Sequence, residues 1–189
     1  MKEYDFELKF SLPSPDADPE QFLNALYEAG CDDALVGLGQ NGRMALSFTR
    51  EAPTAQDAVT SAVADVTKAI PCAKLIEATP DYVGVTDIAG LVGCSRQNIR
   101  KIMIENSQAP MPVHSGTTAI WHLAKVLDWL KHGGRFNIEE RLVEVSLVNM
   151  KINIEREAAY VAHVGRNPRT GATIKVKASK RQQSKQALA

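Results

Sequence analysis

Residues 86–103 of this chain read TDIAGLVGCSRQNIRKIM, and they predict two short helices joined by a tight turn. Thr86 is placed to cap the first helix. Gly93 lies in the turn, where a glycine can adopt a positive φ angle. Ser95 then caps the second helix. A short helix, a glycine turn and a second helix with a polar amino-terminal half are the components of a helix-turn-helix.

The second of these helices leaves its polar side chains available to solvent, because Ile99, Ile102 and Met103 form its apolar face. Arg and Lys pair with guanine edges or phosphates, Gln and Asn pair with adenine, and a capped helix amino terminus receives a phosphate. We therefore predict that this helix contacts DNA in the major groove. The predicted contact residues are Ser95, Arg96, Gln97, Asn98, Arg100 and Lys101.

A proline-rich segment, a short hairpin and a third helix follow. Residues 109–121 predict an extended entry and a turn at Ser115–Gly116, and a helix is expected from about His122 to His132. The two histidines are ten residues apart, which is not a metal-ligand spacing on a helix. We therefore predict no metal site here.

This order of elements resembles the winged helix-turn-helix of the MerR, AlpA and phage excisionase families. The residues that carry the resemblance are Thr86, Ala89, Gly93, Ser95, Pro110, Pro112, Gly116, Trp121, Trp129 and Leu130. The resemblance covers residues 83–130 and implies a DNA-binding domain over residues 83–132. It also implies that His114 and Thr117 of the wing contact DNA, although this wing lacks the arginines that many such wings carry.

The amino-terminal residues 1–80 predict a small acidic α+β domain. Residues 4–12 alternate apolar and polar side chains, and Asp18–Pro19 begins a helix. Two strands joined by a turn containing Asn41–Gly42 follow, and then a helix capped by Thr54 and a fourth strand. With right-handed crossovers, this order gives a ferredoxin-like split β-α-β sheet covered by two helices.

Residues 137–159 contain neither Gly nor Pro and predict one long connector helix with Asn137 as its cap. Their apolar residues cover a face too wide for a lone surface helix. The helix therefore either folds back onto its own chain or pairs with a second copy in a homodimer, which would suit the reading of paired half-sites on DNA. The apolar rows are Leu142, Val145 and Ile152, and Val143, Leu147, Met150 and Ile154.

The tail, residues 160–189, carries seven basic and no acidic residues. Its turn-forming pairs favour a basic β-hairpin in which Tyr160–Val164 pairs with Thr173–Lys177. An isolated two-stranded ribbon is marginal in water, so we expect it to become ordered on DNA. We expect residues 181–189 to be disordered.

Within this tail, residues 163–180 read HVGRNPRTGATIKVKASK and closely resemble the DNA-binding arm of the HU and integration-host-factor family. In that family the block lies in the minor groove, so the resemblance implies that Pro168 wedges at a base step and kinks the duplex. The other implied DNA contacts are Arg166, Asn167 and Arg169 at the groove, and Lys175, Lys177 and Lys180 along the phosphates. Nothing upstream resembles the body of an HU protein.

Charge is unevenly distributed along the chain, although Lys plus Arg and Asp plus Glu both number 22. Residues 1–80 carry 13 acidic and 6 basic side chains, so only the tail end is expected to meet a polyanion. The chain has no run of 18 apolar residues, no signal-peptide core and no Cys-x-x-Cys pair. We expect a cytoplasmic, nucleoid-associated protein with no cofactor, no metal ion and no membrane span.

The function expected from these features is binding to double-stranded DNA, as a transcriptional regulator or a nucleoid-type architectural protein. No nucleophile–base pair or phosphate-binding glycine loop is visible, so we do not expect an enzyme. Two alternatives remain open at this point. The amino-terminal domain could sense a small-molecule effector, or the helical module could bind a protein, as in antitoxin or recombination-type adaptors.

Overall fold

The computed structural model describes residues 1–37, 39–134 and 136–165 of the chain. These residues form an α+β structure with a four-stranded antiparallel sheet. Met1–Glu155 form one compact unit, and Arg156–Gly165 are the described part of a second. None of the described helices is long and apolar enough to span a membrane.

The four-stranded sheet has the order β2-β3-β1-β4, so β2 and β4 are its edge strands. Its strands are β1 (Lys2–Ser11), β2 (Ala34–Gly37), β3 (Arg43–Ala52) and β4 (Lys74–Thr79). In the register of β1 with β3, Phe6 lies opposite Phe48, and the two rings stack with centroids 5.3 Å apart. The alternation in the sequence therefore places one face of β1 in the core and leaves its other face polar.

Two helices connect these strands, α1 (Leu23–Ala29) and α2 (Ala55–Ala69). A short 3-10 helix, Pro19–Phe22, precedes α1, and the Asp18 carboxylate accepts from the Glu20 backbone N–H at 3.0 Å. The Thr54 hydroxyl caps α2 by accepting from the Asp57 N–H at 3.1 Å. Both predicted helix starts are confirmed, because proline and a capping side chain specify them locally.

Residues 82–132 form a helical module with its own hydrophobic core. It contains β5 (Tyr82–Val83), α3 (Val85–Leu91), α4 (Arg96–Glu105), β6 (Trp121–His122) and α5 (Leu123–His132). Strands β5 and β6 pair antiparallel. Side chains from all three helices meet in this core, among them Ile88, Ile99, Leu123 and Leu127.

The predicted cap of α3 at Thr86 is wrong, since the helix begins one residue earlier than Thr86, at Val85. Gly84 is the residue before the helix, and the Asp87 carboxylate accepts from its N–H at 2.8 Å. Asp87 thus supplies one half of a capping box, while Gly84 has no side chain with which to cap the first helical N–H groups. Thr86 lies inside the first turn.

The connector is helix α6 (Glu140–Gly165), which differs from the prediction at both ends. Asn137 is not its cap, because the first helical bond runs from the Val143 N–H to the Glu139 carbonyl at 3.3 Å. The helix also includes Tyr160–Val164, which we expected as a strand of the tail hairpin. No residue from 140 to 164 is Gly or Pro, and alanines at 158, 159 and 162 favour helix, so α6 continues to Gly165.

Within Met1–Glu155, α6 folds back onto its own chain. Val145 is buried in the core of the sheet, and Leu142 and Val143 pack against the core of the helical module. The Glu144 carboxylate accepts from Lys2 Nζ and from Tyr4 Oη of β1, both at 2.7 Å. One helix therefore joins the two cores.

Val148 and Ile152 also pack against the core of the sheet, whereas other apolar residues of α6 are exposed. Leu147 is 55% exposed and Ile154 is 47% exposed. Both belong to the second apolar row of the predicted connector helix. A second copy of the chain over this row stays a prediction.

Candidate nucleic-acid interface

Helix α4 presents all of its predicted contact residues to solvent. The Ser95 hydroxyl caps the helix by accepting from the Asn98 N–H at 3.2 Å, and Gly93 adopts a φ of +68° in the turn before it. Ile99 and Ile102 are buried, so the helix packs through one face only. The exposed residues are Ser95, Arg96, Gln97, Asn98, Arg100 and Lys101.

The basic side chains of this exposed face are unengaged. Within residues 1–37, 39–134 and 136–165, the side chains of Arg96, Arg100 and Lys101 make no hydrogen bond or ion pair. Arg50 in β3 is a contrast, since its guanidinium bonds Asp33 and Asp65. The cations of α4 are thus free to meet an external anion.

The charges of α4 also oppose the stability of the helix itself. α4 begins with Arg96 and has no acidic residue in its first turn, whereas α2 has Asp57, α3 has Asp87 and α6 has Glu140 there. A cation at a helix amino terminus is unfavourable, because that end carries a partial positive charge. Arg96 and Arg100 are one turn apart, and like charges at this spacing cost about 0.2–0.5 kcal/mol. A bound anion would relieve both costs.

The predicted wing forms a small hairpin. Val113 N–H donates to the Ile120 carbonyl at 2.8 Å, and Ile120 N–H donates back to the His114 carbonyl at 3.0 Å. The Trp121 indole donates to the Pro110 carbonyl at 3.0 Å, which ties the entry of the hairpin to the core of the module. His114 and Thr117 are both exposed on the hairpin.

A cleft of about 920 Å³ lies between the polar face of the sheet and helix α3. Apart from the buried Asp81, its charged lining consists of six carboxylates and two cations. These are Glu3, Asp5, Glu7, Glu77, Asp87 and Glu139, with Lys9 and Arg141. The excess of negative charge makes this concave surface unsuitable for a polyanion. The cleft therefore does not belong to the candidate interface on α4.

A buried polar cluster joins the module to β4 and α6, and the sequence analysis did not identify it. Asp81 is fully buried, with His122 Nδ1 at 2.7 Å from its Oδ1 and Asn153 Nδ2 at 2.8 Å from its Oδ2. One signal for it was present in the sequence. Asn149 and Asn153 lie one turn apart on the face of α6 that also carries Val145 and Ile152, and both asparagines are fully buried.

The predicted contacts of the basic arm lie outside the described residues. They are Arg166, Asn167, Pro168, Arg169, Lys175, Lys177 and Lys180. Among the residues that the structure describes, no group of three or more His, Cys, Asp and Glu side chains is placed to hold a metal ion.

Comparisons of this chain with models of protein families, with curated proteins and with solved structures gave no match. The candidate interface consists of the exposed face of α4 and the hairpin of residues 113–120.

Proposed function

We propose that this protein binds double-stranded DNA through a winged helix-turn-helix in which α4 enters the major groove. Arg96, Gln97 and Arg100 contact base edges and phosphates there, and the hairpin of residues 113–120 serves as the wing. The amino-terminal sheet is the ferredoxin-like domain of this arrangement, and its strand order supports that assignment. The basic arm of residues 166–180 adds contacts to the minor groove.

The observation that carries the proposal is the unsatisfied positive charge of α4. Three basic side chains lie on the exposed face of α4 and make no ion pair within the described part of the chain. One of them, Arg96, is the first residue of the helix, where the partial positive charge of the amino terminus repels it. Local conflicts of this kind are expected at functional sites, where a ligand compensates the cost. Phosphate is the ligand that matches both the arginines and the helix amino terminus.

The experiment is a fluorescence-anisotropy titration of a random-sequence duplex over a salt series with the full chain. Arg100→Gln is compared with the wild type and with Arg43→Gln, a matched control at an exposed arginine of β3. If Arg100 neutralises one phosphate, its loss lowers the slope of log K against log salt by about 0.9. Arg43→Gln leaves that slope unchanged.

Sequence preference is tested with Gln97→Ala. After selection of a preferred duplex, this substitution is expected to reduce the preference by about 1–3 kcal/mol at one base pair and to leave random-sequence binding unchanged. The proposal is wrong if Arg100→Gln and Arg43→Gln bind with the same slope as wild type. It is also wrong if the wild type fails to bind duplex DNA at low salt.

A further inference from the structure

Asn153 of α6 takes the place of a neighbouring strand at the edge of the sheet. Its Oδ1 accepts from the Ala78 N–H at 2.9 Å, and its Nδ2 donates to the Ala78 carbonyl at 2.8 Å. Ala78 belongs to β4, an edge strand whose outer backbone groups have no strand partner in the sheet. One side-chain amide therefore satisfies both backbone groups of a buried residue, as an adjacent strand would.

The same amide reaches the helical module through Asp81. Its Nδ2 also donates to Asp81 Oδ2 at 2.8 Å, and Asp81 Oδ1 lies 2.7 Å from Nδ1 of His122 in β6. The Asp81 backbone carbonyl accepts from the Leu123 N–H at 2.7 Å, where α5 begins. A fully buried carboxylate is costly unless its oxygens are hydrogen-bonded, and here both are.

The cluster fixes the position of one end of the module relative to β4 and α6. His122 is the last residue of β6, and its ring lies against Tyr82 of the paired strand with centroids 5.1 Å apart. Leu123 of α5 shares the core of the module with Ile99 of α4. A shift at Asp81 therefore moves the packing surface on which α4 rests.

We propose that Asn153, Asp81 and His122 form a positioning relay that holds the helical module, and with it α4, in its DNA-binding orientation relative to α6. The relay rests on the proposed function for its DNA readout, while its structural readout is independent of DNA. Asn153 and His122 do not touch DNA in this arrangement. They act through Asp81, whose carboxylate hydrogen-bonds both of them.

Two variants of His122 separate the loss of its hydrogen bond to Asp81 from the loss of its ring. Because a carboxylate oxygen accepts hydrogen bonds, we assign the donor role in this contact to Nδ1 of His122. In His122→Asn the side-chain amide nitrogen lies near the place of Nδ1 and keeps a donor toward Asp81. In His122→Leu the donor is lost, and Asp81 Oδ1 is left buried and unpaired.

The first measurement is amide hydrogen exchange of Leu123 and of the β5–β6 pair in the full chain without DNA. Loss of a hydrogen bond to a charged group corresponds to roughly a 10- to 100-fold change in an equilibrium constant. Asn153→Leu and His122→Leu should each speed exchange at Leu123 by about tenfold or more. Asn149→Leu is the matched control, because Asn149 is equally buried one turn away and, among the described residues, its side chain hydrogen-bonds the Pro80 carbonyl alone, at 3.5 Å. It should leave Leu123 exchange within about twofold of wild type.

The second measurement is a double-mutant cycle of Asn153→Leu with His122→Leu, read by exchange at Leu123 and by duplex affinity. Because both residues act through the Asp81 carboxylate, the double variant should differ from wild type in Leu123 exchange and in duplex affinity by little more than the more strongly affected single variant. Duplex affinity should fall about five- to tenfold in each, because a misplaced α4 loses part of its base and phosphate contacts. His122→Asn should restore both readouts.

Three outcomes overturn the relay. They are additive effects in the cycle, failure of His122→Asn to restore exchange, and unchanged duplex affinity in variants that exchange rapidly at Leu123. If Asn153→Leu does not fold, His122→Leu and His122→Asn carry the test alone. If wild-type protein binds no duplex, the proposed function and the positioning role toward DNA both fall, whereas coupled exchange at Leu123 would still show the link between α6 and β6.

Discussion

Replacing Arg50 by Met should destabilise the whole compact unit Met1–Glu155. Arg50 is buried at the end of β3, and its guanidinium makes five hydrogen bonds, with the aromatic ring of Phe48 at 5.0 Å. The acceptors are both carboxylate oxygens of Asp33, one of Asp65, the Ser61 hydroxyl and the Gly30 carbonyl. Burial opposes the charge, but the bonds to Asp33 and Asp65 outweigh it and raise the pKa of Arg50 above its ordinary value.

The size of the stability loss in Arg50→Met depends on how exposed Asp33 and Asp65 are. Removing one member of a buried ion pair costs about 3–5 kcal/mol, because the other charge is left buried and unpaired. The side chains of Asp33 and Asp65 are 28% and 29% exposed, so both regain part of their hydration when the arginine is lost. Met keeps the aliphatic packing of the Arg stem. We therefore expect a loss of about 3 kcal/mol in the free energy of unfolding.

Urea unfolding followed by two probes measures this loss. Both tryptophans of the chain, Trp121 and Trp129, pack in the core of the helical module, whereas far-UV circular dichroism reports all helices and strands. With a urea dependence of about 2 kcal/mol per molar, 3 kcal/mol shifts the midpoint by roughly 1.5 M. Because α6 contributes to both cores, the tryptophan midpoint should shift as far as the dichroism midpoint.

The result that would refute this reasoning is a split between the probes. If Arg50→Met shifts the dichroism midpoint and leaves the tryptophan midpoint in place, the two cores unfold separately and α6 does not couple them. A common shift below about 0.5 M would instead show that the guanidinium contacts are nearly neutral in net energy. Arg50→Lys keeps the charge without the planar fork, and we expect a loss about half as large.

Two further predictions concern ionisable groups in the same unit. Hydrogen bonds from Lys2 and Tyr4 lower the pKa of Glu144, so its contribution to stability is present above the unfolded pKa of about 4.3 and is lost as pH falls through the folded pKa. Glu144→Gln should therefore lower the thermal midpoint at pH 7 and make that midpoint fall less steeply below about pH 4. An unchanged pH dependence of the midpoint below about pH 4 would contradict this prediction. Burial raises the pKa of the Cys31 thiol to about 11, which leaves about 0.1% thiolate at pH 8. In a thiol-labelling assay at pH 8 the exposed Cys72 should therefore react fast and Cys31 only after unfolding, and equal rates would contradict the burial of Cys31.

The parts of the fold that could be predicted from the sequence are those that local chemistry specifies. Ser95 and Gly93 define the start of α4 and its turn through a cap and a positive φ, and both lie where the sequence places them. The predicted caps at Thr86 and Asn137 are wrong, because a residue type that favours a cap position does not by itself fix where a helix starts. Thr and Asn can both cap a helix, but α3 begins after Gly84, and the first helical bond of α6 is accepted by the Glu139 carbonyl.

The relay could not be predicted in this way, because its partners are far apart in the chain. Asn153 lies 75 residues from Ala78 and 72 from Asp81, and His122 lies 41 residues from Asp81. A buried asparagine on a helix implies that its amide has a polar partner, but the sequence does not identify which residue that partner is. Of the predicted apolar rows of α6, Val145 and Ile152 do pack, whereas Leu147 and Ile154 are exposed. Only the tertiary structure identified the buried asparagines and their partners.

The distribution of charge along the chain determines how the proposed contact of α4 with DNA depends on salt concentration. Seven of the 22 basic residues lie in residues 166–189, which contain no acid, so residues 1–165 hold fifteen basic and 22 acidic residues. This part of the chain carries a net charge of −7 and is repelled by DNA at long range. Near 0.15 M salt the Debye length is about 8 Å, so distant carboxylates are screened, while in the proposed function α4 would still meet phosphates at contact distance. At 0.01 M salt the length is about 30 Å, the repulsion extends over the whole body, and the basic tail becomes the main source of attraction.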